Sequence, residues 1–181
     1  MESTRTLVAG LFITLDGVVE APEKWHLPYH DDEMDHLVGQ WYSEADTLLM
    51  GRVTYETFAA AWPDRTGPMA DTINGMRKVV ASTAIDKPDW HNTTLLDGDL
   101  IAATTELARQ PGRTILLQGS ISLVRALLAA NLLDELRLLI HPLVLGGGAR
   151  LFPAGTPEAP LTLVRSTALA SGVLNLTYAP V

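Results

Sequence analysis

Two stretches of this chain run an apolar segment into a glycine and then open a helical segment with a hydroxyl residue. In the first, Thr47-Leu48-Leu49-Met50-Gly51-Arg52-Val53-Thr54 leads into Tyr55-Glu56-Thr57-Phe58; in the second, Ile115-Leu116-Leu117-Gln118-Gly119-Ser120-Ile121-Ser122 leads into Leu123–Leu128. Where a strand enters a helix through glycine, the first N–H groups of the helix lack partners and share a site with the positive end of its dipole. Two such corners suit a ligand with two phosphates, and Arg52 adds a cation at the first. Gly51, Arg52, Val53 and Thr54 at one corner, with Gly119, Ser120, Ile121 and Ser122 at the other, are therefore the candidate phosphate-binding groups. Such a corner can also cap a helix with no ligand. Arg52 precedes Glu56 by four residues, the spacing of an ordinary surface ion pair.

The remaining polar residues give fewer options. The fingerprint G-x-G-x-x-G is absent, and Gly146-Gly147-Gly148 reads as a turn or a close backbone approach. Asp16, before Gly17, is either a turn residue holding local N–H groups or a polar group at the mouth of a cleft. Asp31 or Asp32 is placed to N-cap a helix. His26, His30 and His36 lie near carboxylates, but Pro28 keeps the first two from pairing on one helical face, so no metal is expected. No serine sits in a nucleophile elbow. The chain has no cysteine, which excludes disulfides and thiolate chemistry.

Regular elements must position these groups. Leu7–Ile13 reads as a buried strand, and Met34, Leu37, Val38, Trp41 and Tyr42 fall on one helical face. Trp41 and Tyr42 are expected in the core, and Trp62-Pro63 at a helix end packed on the sheet. A strand over Thr47–Met50 precedes a short helix from Thr54 that ends before Pro63. Thr66–Gly75 reads as loop with at most a helical turn. Lys78–Ser82 and Thr93–Leu96 read as strands. Asp97-Gly98-Asp99 caps a helix with a stripe of Leu100, Ile101, Thr104, Leu107 and Ala108, stopped by Pro111-Gly112. Strand Thr114–Gln118, helix Ser122–Asn131 and strand Leu136–Leu145 form a right-handed crossover. Pro142 directly after His141 implies an edge position or a bulge. Leu161–Val164 and Val173–Tyr178 form a hairpin around Ser171-Gly172. The expected fold class is α/β, a mostly parallel central sheet flanked by helices with an antiparallel C-terminal hairpin.

The 181 residues suit one domain over 1–181. With 47% hydrophobic and 19% charged residues, the chain can fill a core. A net charge of −8 argues against a nucleic-acid or anionic-membrane surface. The apolar stretch Leu132–Leu145 is interrupted by Asp134, Glu135, Arg137 and His141, so no membrane span is expected. The N-terminal stretch lacks the apolar core and cleavage site of a signal peptide, and a cytoplasmic location is expected.

The order of motifs resembles the dihydrofolate reductase-like superfamily, and within it stand-alone proteins similar to the reductase domain of bacterial riboflavin biosynthesis. The likeness rests on Thr14-Leu15-Asp16-Gly17-Val18-Val19, Trp25-His26-Leu27-Pro28, Gly51-Arg52-Val53-Thr54-Tyr55-Glu56, Val80-Ala81-Ser82-Thr83, Gln118-Gly119-Ser120, and the run from His141 to Phe152. The resemblance implies an NADPH-dependent oxidoreductase that moves hydride to a small unsaturated substrate, a heterocyclic one included. It implies that Gly51, Arg52, Val53 and Thr54 sit by the pyrophosphate and adenosine phosphate. Ser82 and Thr83 would meet the adenosine 2′-phosphate, and Gly119, Ser120, Ile121 and Ser122 the pyrophosphate and nicotinamide ribose. Asp31 and Asp16 would be the catalytic residues, Asp31 (with Asp32 the runner-up) or an ordered water as proton donor and Asp16 near the nicotinamide, with Gly17, Trp25 and Met50 on the substrate side. The folate enzymes carry a double glycine where this chain has only Gly119, and their acid is displaced here by one residue. The alternatives are a riboflavin-pathway aminopyrimidine reductase, with Arg52, Lys24 and Arg150 as cations for its phosphate, and a non-catalytic nucleotide-binding dimeric module. A homodimer is implied in either case.

Overall fold

A computed structural model describes residues 5–181. The apolar runs become strands β1 (Leu7–Thr14), β2 (Ala45–Gly51), β3 (Arg77–Ala81), β4 (Thr93–Leu95), β5 (Thr114–Gln118), β6 (Glu135–His141), β7 (Leu161–Ala168) and β8 (Leu174–Pro180). The helices are α1 (Asp32–Glu44), α2 (Arg52–Ala61), α3 (Pro68–Gly75), α4 (Leu100–Arg109) and α5 (Ile121–Ala129). The strands form one sheet in the order β4-β3-β2-β5-β1-β6-β8-β7. Pairings from β4 to β6 are parallel, and β8 is antiparallel to both β6 and β7. The expected α/β class with an antiparallel C-terminal hairpin is what the chain adopts.

Alternation along the strands sorts side chains onto two faces. Leu7, Ala9, Leu11, Leu49, Ile115 and Leu117 face a core closed by Leu107 of α4 and Val124 and Leu127 of α5. Val8, Leu48, Met50, Val80 and Leu116 face the other, closed by Met34, Val38 and Trp41 of α1, Tyr55 of α2 and Ile73 of α3. Trp41 and Tyr42 are buried as expected. Helix starts are chemically specified. The Asp31 carboxylate accepts from Met34 N–H at 2.8 Å, and Asp99 accepts from Ile101 and Ala102 N–H at 3.1 and 3.0 Å.

The structure corrects the sequence reading in three places. Residues 68–75, read as loop, form α3: Pro68 occupies its first turn after Gly67, at φ 114°, and Ala70 and Ile73 are buried three residues apart. β6 ends at His141, not Leu145, because Pro142 offers no N–H to continue the ladder. His141 is also not at an edge, since β6 lies between β1 and β8. Among the described residues, no helix is long and apolar enough to cross a membrane.

Candidate functional site

β2 and β5 are parallel neighbours, so the two glycine corners emerge side by side at their C-terminal ends. The Ser120 hydroxyl accepts from Gly51 N–H at 2.7 Å and donates to Thr54 Oγ1 at 2.9 Å, while Ser120 N–H donates to the same Thr54 oxygen at 3.1 Å. These hydroxyls therefore do not cap their own helices; they tie one corner to the other. The second turn has two left-handed residues in succession, Gly119 at φ 62° and Ser120 at φ 58°. Ser120 pays about 1–3 kcal/mol for that conformation, offset by its three bonds. A Cβ on Gly119 would meet Thr54 Oγ1 at 3.1 Å. The N-terminal ends of α2 and α5 therefore lie side by side, and helix N-termini suit phosphate.

The corners border a cleft of about 1420 Å³ that follows the C-terminal ends of the parallel strands, where ligands of open α/β sheets bind. Its lining includes Gly51, Arg52, Val53, Thr54, Ser82, Thr83, Gly119, Ser120, Ile121 and Ser122, so the structure brings all the sequence-named phosphate and ribose groups to one place. Arg52 is exposed and bonds both Glu56 oxygens at 3.1 and 3.2 Å, the surface pair its spacing allowed. Gln118 adds a group the sequence reading missed: it lines the cleft beside Gly119, and its Oε1 is buried without a partner. An acceptor at that point fits an amide-bearing ligand.

The other half of the cleft is aromatic. Phe12, His26, Tyr42, Phe58 and Trp62 line it, with Arg65 stacked over Trp62 at 4.8 Å. Trp62 packs against the core at the end of α2, as expected, but also faces the cleft. The sequence reading named none of these as substrate groups, because only Phe58 and Trp62, four residues apart on α2 and its C-cap, share a spacing, and the others come from separate elements. His26 lies against Phe12 at 5.1 Å between ring centroids, and against His30 at 6.2 Å and the buried His141 at 6.4 Å. Desolvation, then the neighbouring His141 and His30, push the His26 imidazole below its ordinary range.

Five residues expected at catalysis or substrate lie outside this lining. The Asp16 carboxylate accepts from the Thr14 hydroxyl at 2.6 Å, Gly146 N–H at 2.9 Å and Leu145 N–H at 3.2 Å, with Arg150 at 3.7 Å. The Thr14 and backbone donors hold its carboxyl down to about 2. These bonds are those of the turn role, one of its two readings. Gly17, at φ 86°, completes that turn. Asp31 caps α1, and the Met34 N–H is the main cause of its lowered carboxyl pKa; Asp32 is an exposed first-turn residue. Trp25 is buried, its indole N–H donating to Glu20 O at 2.9 Å, and Met50 is fully buried under the sheet. Among the described residues, no group of three or more histidines and carboxylates could hold a metal.

This architecture is the dihydrofolate reductase-like fold. Dihydrofolate reductase from Enterococcus faecalis, complexed with NADP(H), superposes with a TM-score of 0.64 at 15% identity, over 97% of this chain and 96% of that one. A pyrimidine reductase-like protein from Corynebacterium diphtheriae gives 0.72 at 14% identity, over 99% and 93%. Residues 5–175 match the model of the RibD C-terminal domain, and the chain belongs to that family. It is also similar to the uncharacterized protein YyaP of Bacillus subtilis, 26% identical over 179 residues, which are 96% of this chain and 94% of YyaP.

Proposed function

We propose that the protein is an NADPH-dependent reductase acting on an aminopyrimidine of the riboflavin-pathway type, a ribosylated aminopyrimidine phosphate. The observation that carries this reading is the junction of two tied helix N-termini with an aromatic half-cleft in one continuous cavity. Its 1420 Å³ exceeds the roughly 300–1,000 Å³ of a site for one drug-sized ligand, which leaves room for a cofactor beside a substrate. Membership of the RibD C-terminal domain family supports the substrate class.

When bound, the dihydronicotinamide supplies a hydride; the protein does the rest. The N–H groups opening α2 and α5 and the Thr54 hydroxyl hold the pyrophosphate. Thr54 Oγ1 accepts two bonds within the protein, so its own O–H is free to donate. Ser82, Thr83 and Arg52 meet the 2′-phosphate, and Gln118 accepts from the carboxamide. Phe12, Phe58 and Trp62 sandwich a flat ring and exclude water. Arg65 supplies the substrate-phosphate cation that the sequence sought at Lys24 and Arg150. The same reading takes residues 1–181 as one domain working as a homodimer, for which the exposed Leu163 and Val164 of edge strand β7 offer a surface.

Fluorescence titration with NADPH tests the cofactor, and loss of nicotinamide absorbance with the ribosylated aminopyrimidine phosphate tests the substrate. No binding at high micromolar NADPH would end the reductase reading. Turnover of pterins or ketones in place of the aminopyrimidine would leave the reductase and discard its substrate.

A further inference from the structure

Addition of hydride to a C=N bond calls for a proton as well, and the two aspartates the sequence offered lie outside the cleft lining: Asp16 and one oxygen of Asp31 accept from backbone N–H groups, and the other Asp31 oxygen is buried. Few groups in the aromatic half can take their place. Glu20 accepts from Ala149 N–H at 2.8 Å. His30 and Asp35 are bonded to each other at 2.8 Å. Burial pushes the Tyr42 phenol far above neutrality, and Glu23 is exposed. His26 differs from all of them. It lines the cleft, and among the described residues no hydrogen bond reaches either ring nitrogen. Its Nδ1 is buried without a partner, which leaves Nε2 to the cleft. Phe12, His30 and His141 pack around the ring and fix its plane.

We propose that His26 contacts the reacting substrate through Nε2 and delivers the proton that accompanies hydride transfer. This inference rests on the reductase reading. The electrophilic carbon of a substrate C=N bond gains the hydride from a dihydronicotinamide and forms a C–H bond. The π pair of the C=N bond moves to nitrogen, which takes the proton from the His26 imidazolium. The C=N bond is reduced by two electrons, the nicotinamide is oxidised by two, and neutral His26 regains a proton from water. His141 on β6 and His30 in the turn before α1 disfavour the imidazolium, while Glu23 and Asp35 favour it. Desolvation and the two histidines prevail, so His26 holds its proton weakly and releases it readily.

The test is histidine C2–H NMR on the full chain with NADP⁺ present, the His26 signal being assigned by its absence in His26→Asn. Addition of 5,6-diaminouracil is expected to move that signal saturably and raise its titration midpoint, with His91 unmoved. A stationary His26 signal overturns the proposal. Single-turnover oxidation of NADPH by the ribosylated aminopyrimidine phosphate gives a second measure. His26→Asn and His26→Gln are expected to slow it about 100-fold or more and to abolish its fall with rising pH, with NADPH affinity kept. A wild-type rate and pH profile in either folded variant also overturns it. Failure of the wild-type chain to bind NADPH would instead remove the reductase reading itself.

Discussion

Thr54→Val removes one oxygen from the seam between the two glycine corners and leaves the branched side chain in place. That oxygen accepts from Ser120 N–H at 3.1 Å and from the Ser120 hydroxyl at 2.9 Å. Each bond contributes about 1 kcal/mol net, so the variant should lose about 2 kcal/mol. These bonds also help to hold Ser120 at φ 58°, where a side chain is strained, so the turn is expected to relax once they are gone. For a chain of this size, the loss lowers Tm by about 4–8 °C. If the relaxed turn no longer presents its amides to phosphate, NADPH affinity falls by up to about 30-fold, the same energy read as binding. Thermal unfolding by circular dichroism and fluorescence titration with NADPH measure the two effects. Thr57→Val, which removes only an exposed hydroxyl bonded to Val53 O at 2.9 Å, is the control and should change Tm far less. A Thr54→Val protein that melts with the wild type would refute the coupling of the corners.

Other perturbations address separate parts of the cleft. Arg52→Ala is expected to weaken NADPH about tenfold, the scale of one charge-assisted bond, and NADH much less; equal losses in parallel titrations would displace Arg52 from the 2′-phosphate. Arg65→Ala should raise KM for the phosphorylated aminopyrimidine at nearly constant kcat and leave its dephosphorylated form unaffected, as steady-state assays of both would show. Asp16 gives a pH signature. Its folded carboxyl sits near 2 against an ordinary 3.8, so its contribution is fully present above about 4 and is lost as pH falls toward 2. Urea unfolding across that window should show a steeper loss of stability in wild type than in Asp16→Asn, and identical slopes would dismiss the carboxylate as a structural clamp.

The cofactor half of the cleft was legible because adjacent residues build it. Gly51–Thr54 and Gly119–Ser122 are each one continuous turn, and a strand–Gly–hydroxyl–helix pattern has a local cause in unpaired N–H groups. The pattern did not show how the hydroxyls are used: Thr54 and Ser120 bond across the seam, which requires knowing that β2 and β5 are neighbours. The aromatic half was not legible for the same reason. Phe12, His26 and the pair Phe58 and Arg65 belong to three separate segments, β1, the stretch before α1, and α2 with the turn that follows it. Asp16 and Asp31 carry two readings each because Asp before Gly and Asp before a helix also satisfy backbone donors. At the strand scale, Pro142 marked a break but not the interior position of His141, and α3 was missed because its first turn is Pro68 behind a left-handed glycine.

The central position of β1 has a consequence for synthesis of the chain. Its eight residues are synthesised about a hundred residues before their first partners, Ile115–Gln118 on one side, with Glu135–His141 on the other later still. At roughly 5–20 residues per second, a two-sided hydrophobic strand waits on the order of ten seconds before either flank can be covered. The nascent chain thus carries this apolar segment without its neighbouring strands over that interval, and its yield in a cell should depend on what shields Leu7–Thr14 meanwhile.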